Sequence, residues 1–177
     1  IGSVDISDNG QWLALTYGDA EATPSGRVYQ LRLIDVTAQQ ARKVASDPNW
    51  KLNRYSKVTF SDDSQRLFFG RVPEVNQQLS LKKLQTAEDL LDVELVTGLR
   101  NLRIWHEDDA RIKPNEVKQF SKEQQRTYLA VLHIADSNVV QLADPRLPKI
   151  KLNDNKRYVL ASTDIPYQKM ITWAGFY

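Results

Sequence analysis

The chain has no cysteine among its 177 residues. Disulfides and thiolate metal sites are thereby excluded, and the redox compartment stays open. Glycine is scarce, present only at positions 2, 10, 18, 26, 70, 98 and 175. No two of these lie four apart, so the chain has no Gly-x-Ser-x-Gly elbow, the sharp strand-to-helix turn that presents a nucleophilic serine. The same positions rule out a Gly-x-Gly-x-x-Gly loop and a Walker-type phosphate loop. No apolar run approaches the roughly 18 residues of a membrane span, and no signal peptide is visible. Charge is not one-sided. Lys and Arg number 24 against 22 Asp and Glu, a formal net charge of +2. The longest basic run is a pair such as Lys82-Lys83. Nucleic acid and membrane surfaces both call for a clustered basic face, so neither is an expected partner.

What is present is ordinary for a soluble domain: 41% hydrophobic and 26% charged residues. The chain starts at Ile1 and stops in "ITWAGFY", an apolar, aromatic and strand-like run. That ending suggests a piece of a longer protein.

One pattern recurs. "VDISDNGQWLALT" begins at Val4, "VTFSDDSQRLFFG" at Val58 and "IKLNDNKRYVLAS" at Ile150. Aligned on Ile6, Phe60 and Leu152, each copy continues with Ser or Asn (Ser7, Ser61, Asn153) and then Asp (Asp8, Asp62, Asp154). A second turn-former follows (Asn9, Asp63, Asn155), and an apolar run starts at Leu13, Leu67 or Val159. Asp and Asn bond their own backbone and tolerate unusual dihedrals, so the polar stretch reads as a turn. The flanks are rich in Val, Ile, Phe and Tyr, as strands are. Each copy is an expected antiparallel hairpin, with Asp62 and Asp63 as turn formers.

After the first hairpin, "RVYQLRLIDV" and "ARKVAS" supply a third and a fourth strand. Four antiparallel strands followed by a new hairpin make the unit of a β-propeller blade. The step from Ile6 to Phe60 is 54 residues, which suits one blade, but the step from Phe60 to Leu152 is 92. The second blade finds its third and fourth strands late, in "TYLAVLHIAD" and "NVVQLADP". An insertion over 74–126 accounts for the excess. Within it, "NEVKQFSKEQQRTYL" reads as a short helix with Asn115 as its N-cap, whereas "LQTAEDLLDVELVTGLRNLRIW" is ambiguous between helix and strand. The expected fold is all-β, a propeller fragment of about two and a half four-stranded blades. It divides into a blade at 1–50, a blade at 51–148 and a partial blade at 149–177.

The densest polar cluster is "WHEDDARIKP". Trp105, His106, Asp108 and Asp109 form a candidate loop at an interface or substrate entrance. Imidazole beside carboxylates suits a divalent ion, but the spacing matches neither His-Glu-x-x-His nor an EF-hand, and no metal site is expected. His133 sits in a strand beside Val131 and reads as structural. Trp12, Phe68, Phe69, Tyr158 and Trp173 are expected at strand positions, packing between blades, and Trp50 as a loop anchor.

The hairpin "apolar-Ser-x-Asp-(Gly)-x-x-apolar" resembles the blades of TolB-like propellers and the N-terminal propellers of prolyl oligopeptidase-type serine peptidases. The segment from "LLDVELVTGLRNLRIWHEDD" to "TYLAVLHIADSNVVQLAD" is similar to one in large bacterial peptidases of that family. The matching positions are Trp105, His106, Asp108 or Asp109, Pro114, Tyr128-Leu129-Ala130-Val131 and Gln141-Leu142. The resemblance implies a propeller that caps an α/β-hydrolase domain carrying a Ser-Asp-His triad. This chain lacks the elbow, so no catalytic residue is assigned to it and no cofactor is implied. Dipeptidyl peptidases of the family hold the substrate's amino terminus with paired glutamates, and no Glu-Glu pair occurs here. The implied partners are the hydrolase domain of a parent chain and a peptide substrate, in a periplasmic or secreted setting. The alternative is a TolB-like interaction propeller without enzymatic activity. A propeller fragment exposes a blade face and an unfinished sheet edge, so self-association, or a third hairpin packed back on its neighbour, is expected.

Overall fold

In a computed structural model, the described residues are 1–18, 28–74, 86–91, 108–153 and 157–173. The chain divides into two compact units, Ile1–Glu74 with Gln119–Tyr167, and Val75–Lys118 with Gln168–Tyr177.

The first unit is built of antiparallel sheets. β1 (Val4–Ile6), β2 (Trp12–Gly18), β3 (Tyr29–Asp35) and β4 (Gln40–Lys43) form a four-stranded meander in chain order. β5 (Trp50–Lys51) and β6 (Val58–Phe60) both pair with β7 (Arg66–Pro73), which continues through β8 (Tyr128–His133) to β9 (Val139–Gln141). β10 (Lys149–Lys151) and β11 (Leu160–Ser162) make a separate hairpin. The fold is therefore all-β, with the four-strand meander of a propeller blade present twice and its opening hairpin a third time. β8 and β9 lie within the two late segments that the sequence predicts.

The turn chemistry of the first two hairpins is the same bond for bond. Ser7 Oγ donates to Asn9 Oδ1 (2.7 Å) and accepts from the Trp12 amide (2.9 Å), while the Gln11 amide donates to Asn9 Oδ1 (3.0 Å). One repeat later, Ser61 Oγ donates to Asp63 Oδ1 (2.6 Å) and accepts from the Arg66 amide (3.1 Å), while the Gln65 amide donates to Asp63 Oδ1 (3.2 Å). Gly10 and Ser64 occupy the equivalent left-handed position, at φ of 70° and 55°. Asp63 is thus a turn former, tied up further by Arg66 at 3.2 Å.

Strand alternation sends one face of each meander into a shared core. Ala14, Leu31 and Leu33 come from the first sheet, and Val58, Phe60, Leu67, Phe69, Ala130, Leu132 and Ile134 from the second. Polar side chains stitch the two sheets together. The amides of Val58 and Phe60 point away from β7, because the Lys57 carbonyl and the Ser61 amide take the β7 bonds on either side. Ser3 Oγ accepts from the Val58 amide (3.2 Å), and the Asp5 carboxylate accepts from the Phe60 amide (2.7 Å). Buried amides left unpaired would cost stability, and two side chains of β1 and its approach satisfy them. Arg42 on β4 donates to the Ile134 carbonyl and to Ser137 Oγ, both at 2.7 Å, with its guanidinium 5.5 Å over Trp12.

Trp50, expected as a loop anchor, lies instead in the short strand β5. Its ring meets Tyr128 edge-on at 5.9 Å, and the buried Arg71 lies 6.0 Å from it. Arg71 pairs with Asp47 at 3.0 Å. The Asn49 amide and the Arg71 guanidinium hold the Asp47 carboxyl below its usual value.

Three further expectations are corrected. The helix α1 spans Lys113–Gln124 and starts before Asn115. The Ile112 carbonyl accepts from the amides of Asn115 and Glu116 (2.9 and 3.1 Å), so Pro114 belongs to the first turn, where its missing N–H costs nothing. Trp173 is not in a strand but ends the helix α2, Gln168–Trp173. Pro166 opens a short 3-10 helix, Ile165–Tyr167, immediately before it. Tyr158, 69% exposed, precedes β11 and lies in no strand. Of "LQTAEDLLDVELVTGLRNLRIW", only part is described, with a 3-10 helix at Glu88–Leu91.

Candidate functional site

The second sheet has a face turned away from the shared core. Thr59, Phe68 and Val131 stand opposite one another on it, as do Gly70 and Leu129, and Arg66 and His133. The third hairpin lies over this face, and two clefts open between them.

The larger cleft has a volume of about 720 Å³. Its floor is Thr59, Phe68, Gly70 and Leu129, and its far wall is Pro148, Ile150 and Leu152. Gly70 is required by a close approach: a Cβ there would sit 2.7 Å from the Thr127 Cβ and collide with the Thr127 hydroxyl. The rim is a tight turn. The Tyr55 amide donates to Asn53 Oδ1 (2.9 Å), the Asn53 amide to Ser56 Oγ (3.0 Å) and the Ser56 amide to the Asn53 carbonyl (3.1 Å). Thr16 on β2 ties the turn down through the Ser56 carbonyl at 3.5 Å. The turn presents Arg54, Tyr55 and Lys57 to the cleft, with the Arg54 guanidinium 5.0 Å over the Tyr55 ring.

The smaller cleft, about 480 Å³, carries Asp62, Asp63, Arg66, His133, Arg157 and Tyr158. His133 lies on the Val131 side of its strand, as its alternation predicts. Ser61 also lines this cleft, but its Oγ is committed to the turn described above. That commitment makes it a structural serine, not a nucleophile.

Of the residues singled out in the sequence, Trp105 and His106 lie outside the described residues. Asp108 is exposed and accepts from Lys169 Nζ at 3.2 Å. The Asp109 carbonyl accepts from Trp173 Nε1 at 3.0 Å. Both belong to the second unit. Among the described residues, no three His, Asp or Glu side chains come close enough to hold a metal ion. No helix among them is long and apolar enough to cross a membrane. Sequence reasoning passed over Arg54, Tyr55 and Lys57. The available signal was "NRYSK", two cations flanking Tyr-Ser directly before a repeat strand.

No family model matches the chain. No curated protein matches it either. Among solved structures, the tricorn protease is similar over 92% of this chain at 10% identity, with a TM-score of 0.33. The chain spans about a fifth of that protein, 20% of its length.

Proposed function

We propose that this chain is a non-catalytic propeller segment that positions a peptide in the larger cleft. In a parent enzyme of the prolyl oligopeptidase type it gates access to a separate hydrolase domain. The blades assigned to 1–50, 51–148 and 149–177 form the wall of that gate. The observation that carries this reading is the cleft of about 720 Å³, of a size that suits a small ligand. It has an apolar floor, hydroxyls from Tyr55, Thr59 and Thr127, and no nucleophile elbow anywhere in the chain. The sequence resemblance to peptidase propellers supports the substrate class.

The test is saturation binding. Fluorescently labelled penta- to octapeptides are titrated with the full chain, and anisotropy is followed. Saturable binding that Phe68→Ala weakens by tenfold or more supports the reading. In parallel, a serine-reactive fluorophosphonate leaves the chain unlabelled. Absence of saturable binding for every peptide, or labelling of a serine, overturns it. A second reading, an interaction scaffold of the TolB-like kind, draws on the exposed apolar face of the first sheet, where Val4 and Ile6 are 51% and 59% exposed. Under it, substitutions at Ile6 and not at Phe68 abolish partner binding.

A further inference from the structure

The larger cleft is electrically lopsided. Arg54 and Lys57 line it, and among the described residues no acidic one does. Five other cations of the unit pair with carboxylates: Arg66 with Asp63, Arg71 with Asp47, Arg126 with Glu123, Lys51 with Glu74 and Lys149 with Asp164. Among the described residues Arg54 has one recorded contact, the ring of its neighbour Tyr55. The Lys57 carbonyl accepts from the Gly70 amide at 3.1 Å, and among the described residues its side chain has no ion pair. Both cations sit on or beside a turn whose backbone is fixed by three internal hydrogen bonds and by Thr16, so their points of attachment at the cleft are set. The opposite end is apolar, with Leu129, Pro148, Ile150 and Leu152.

A ligand complementary to this arrangement has an anionic end next to an apolar body. Resting on the peptide reading above, we infer that the cleft takes the carboxyl-terminal end of a peptide: the terminal carboxylate lies against Arg54 and Lys57, and an apolar last side chain against Leu129, Ile150 and Leu152. Guanidinium suits this role because its planar donors match a carboxylate in two parallel bonds. Tyr55 and Thr127 belong to the same lining, and each carries a hydroxyl able to donate. An amidated peptide offers the same body without the charge, so discrimination between the two forms isolates the cationic end.

The experiment compares a labelled hexapeptide ending in Leu as the free acid with the same peptide as its carboxamide, using the full chain at low salt. The free acid is expected to bind about tenfold more tightly, as a partly solvated charge-assisted contact allows. Arg54→Gln with Lys57→Gln is expected to erase that difference, so that the free acid binds no more tightly than the carboxamide. Both side chains are exposed, so the double variant retains the wild-type far-ultraviolet dichroism and melting profile. Equal affinities for the two forms in the wild type overturn the carboxylate inference but leave the peptide reading standing. Absence of binding by either form overturns both. Inorganic phosphate that displaces the free acid as well as acetylated leucine does shows a general anion site, and also overturns the assignment to a peptide terminus.

Discussion

Asp5 shows what one side chain does in a repeat. It lies in the same register as Thr59 and Lys151 of the later copies, yet only Asp5 carries a carboxylate. That carboxylate caps the Phe60 amide, on a strand edge that β7 leaves unpaired. Asp5→Ala removes the acceptor and is expected to destabilise the unit by about 1.5–3 kcal/mol in urea unfolding, with Asp5→Asn recovering roughly half. Equal stability of the alanine variant and the wild type would contradict the assigned role. Asp47 makes a pH-dependent contribution. Its folded-state pKa is lowered, chiefly by the Asn49 amide and then by Arg71, from the ordinary carboxylate value of 3.8. The stabilisation is therefore full above that value and is lost as pH falls through the lower, folded-state value. The stability gap between wild type and Asp47→Asn is expected to be constant near neutrality and to shrink below about pH 4. A gap that widens on acidification would show the sign to be wrong.

At the scale of the element, the hairpins were legible because their turn chemistry is local. Ser, a spacer, then Asn or Asp is enough to close the bonds seen at Ser7–Asn9 and Ser61–Asp63. The helix ends were less legible. Asn115 is a good cap by type, but Pro114 just before it fits the first helical turn better, so the helix begins a turn earlier. Trp173 sits in an apolar run that suits a strand, yet the proline-led turn at Ile165–Tyr167 diverts it into a helix. The cationic rim of the cleft was not legible at all. Arg54 and Lys57 gain meaning only from Pro148, Ile150 and Leu152, which a third hairpin brings to them from about a hundred positions away. Arg42 is a similar long-range device, since its two carbonyl and hydroxyl acceptors lie 92 and 95 residues further on. Arg42→Ala is expected to cost about 2 kcal/mol, because it leaves the Ile134 carbonyl without that donor and removes the stack on Trp12. Arg42→Lys restores only part, since one ammonium nitrogen replaces two guanidinium nitrogens that each reach their own acceptor. Chemical denaturation of the three proteins side by side checks the order.

For the whole molecule, the repeat provides its own control. Val58 and Phe60 are 5% and 8% exposed because the first sheet covers them, whereas their equivalents Val4 and Ile6 are 51% and 59% exposed. Leu13 and Leu15 share that open face, opposite Ile6 and Val4. Their equivalents Leu67 and Phe69 are in the core. The outer amides of Val4 and Ile6 point away from β2, by the same alternation that turns those of Val58 and Phe60 toward Ser3 and Asp5. An apolar face with an open strand edge is expected to favour association. In a solution of this chain alone, the occupant available to it is a second copy. Sedimentation equilibrium is expected to show a reversible dimer that grows with concentration, and Ile6→Asp, at an exposed position, is expected to return the chain to a monomer without lowering its melting temperature. The third hairpin is a poor alternative occupant, since Lys149 and Lys151 stand where Ser3 and Asp5 stand in the first copy and have no acceptor to offer the waiting amides. Lys151→Asp supplies one. It is expected to strengthen association between the third hairpin of one copy and β1 of the next, so that the closed dimer gives way to open chains of higher mass. A wild type that stays monomeric at every concentration would remove the basis for both outcomes.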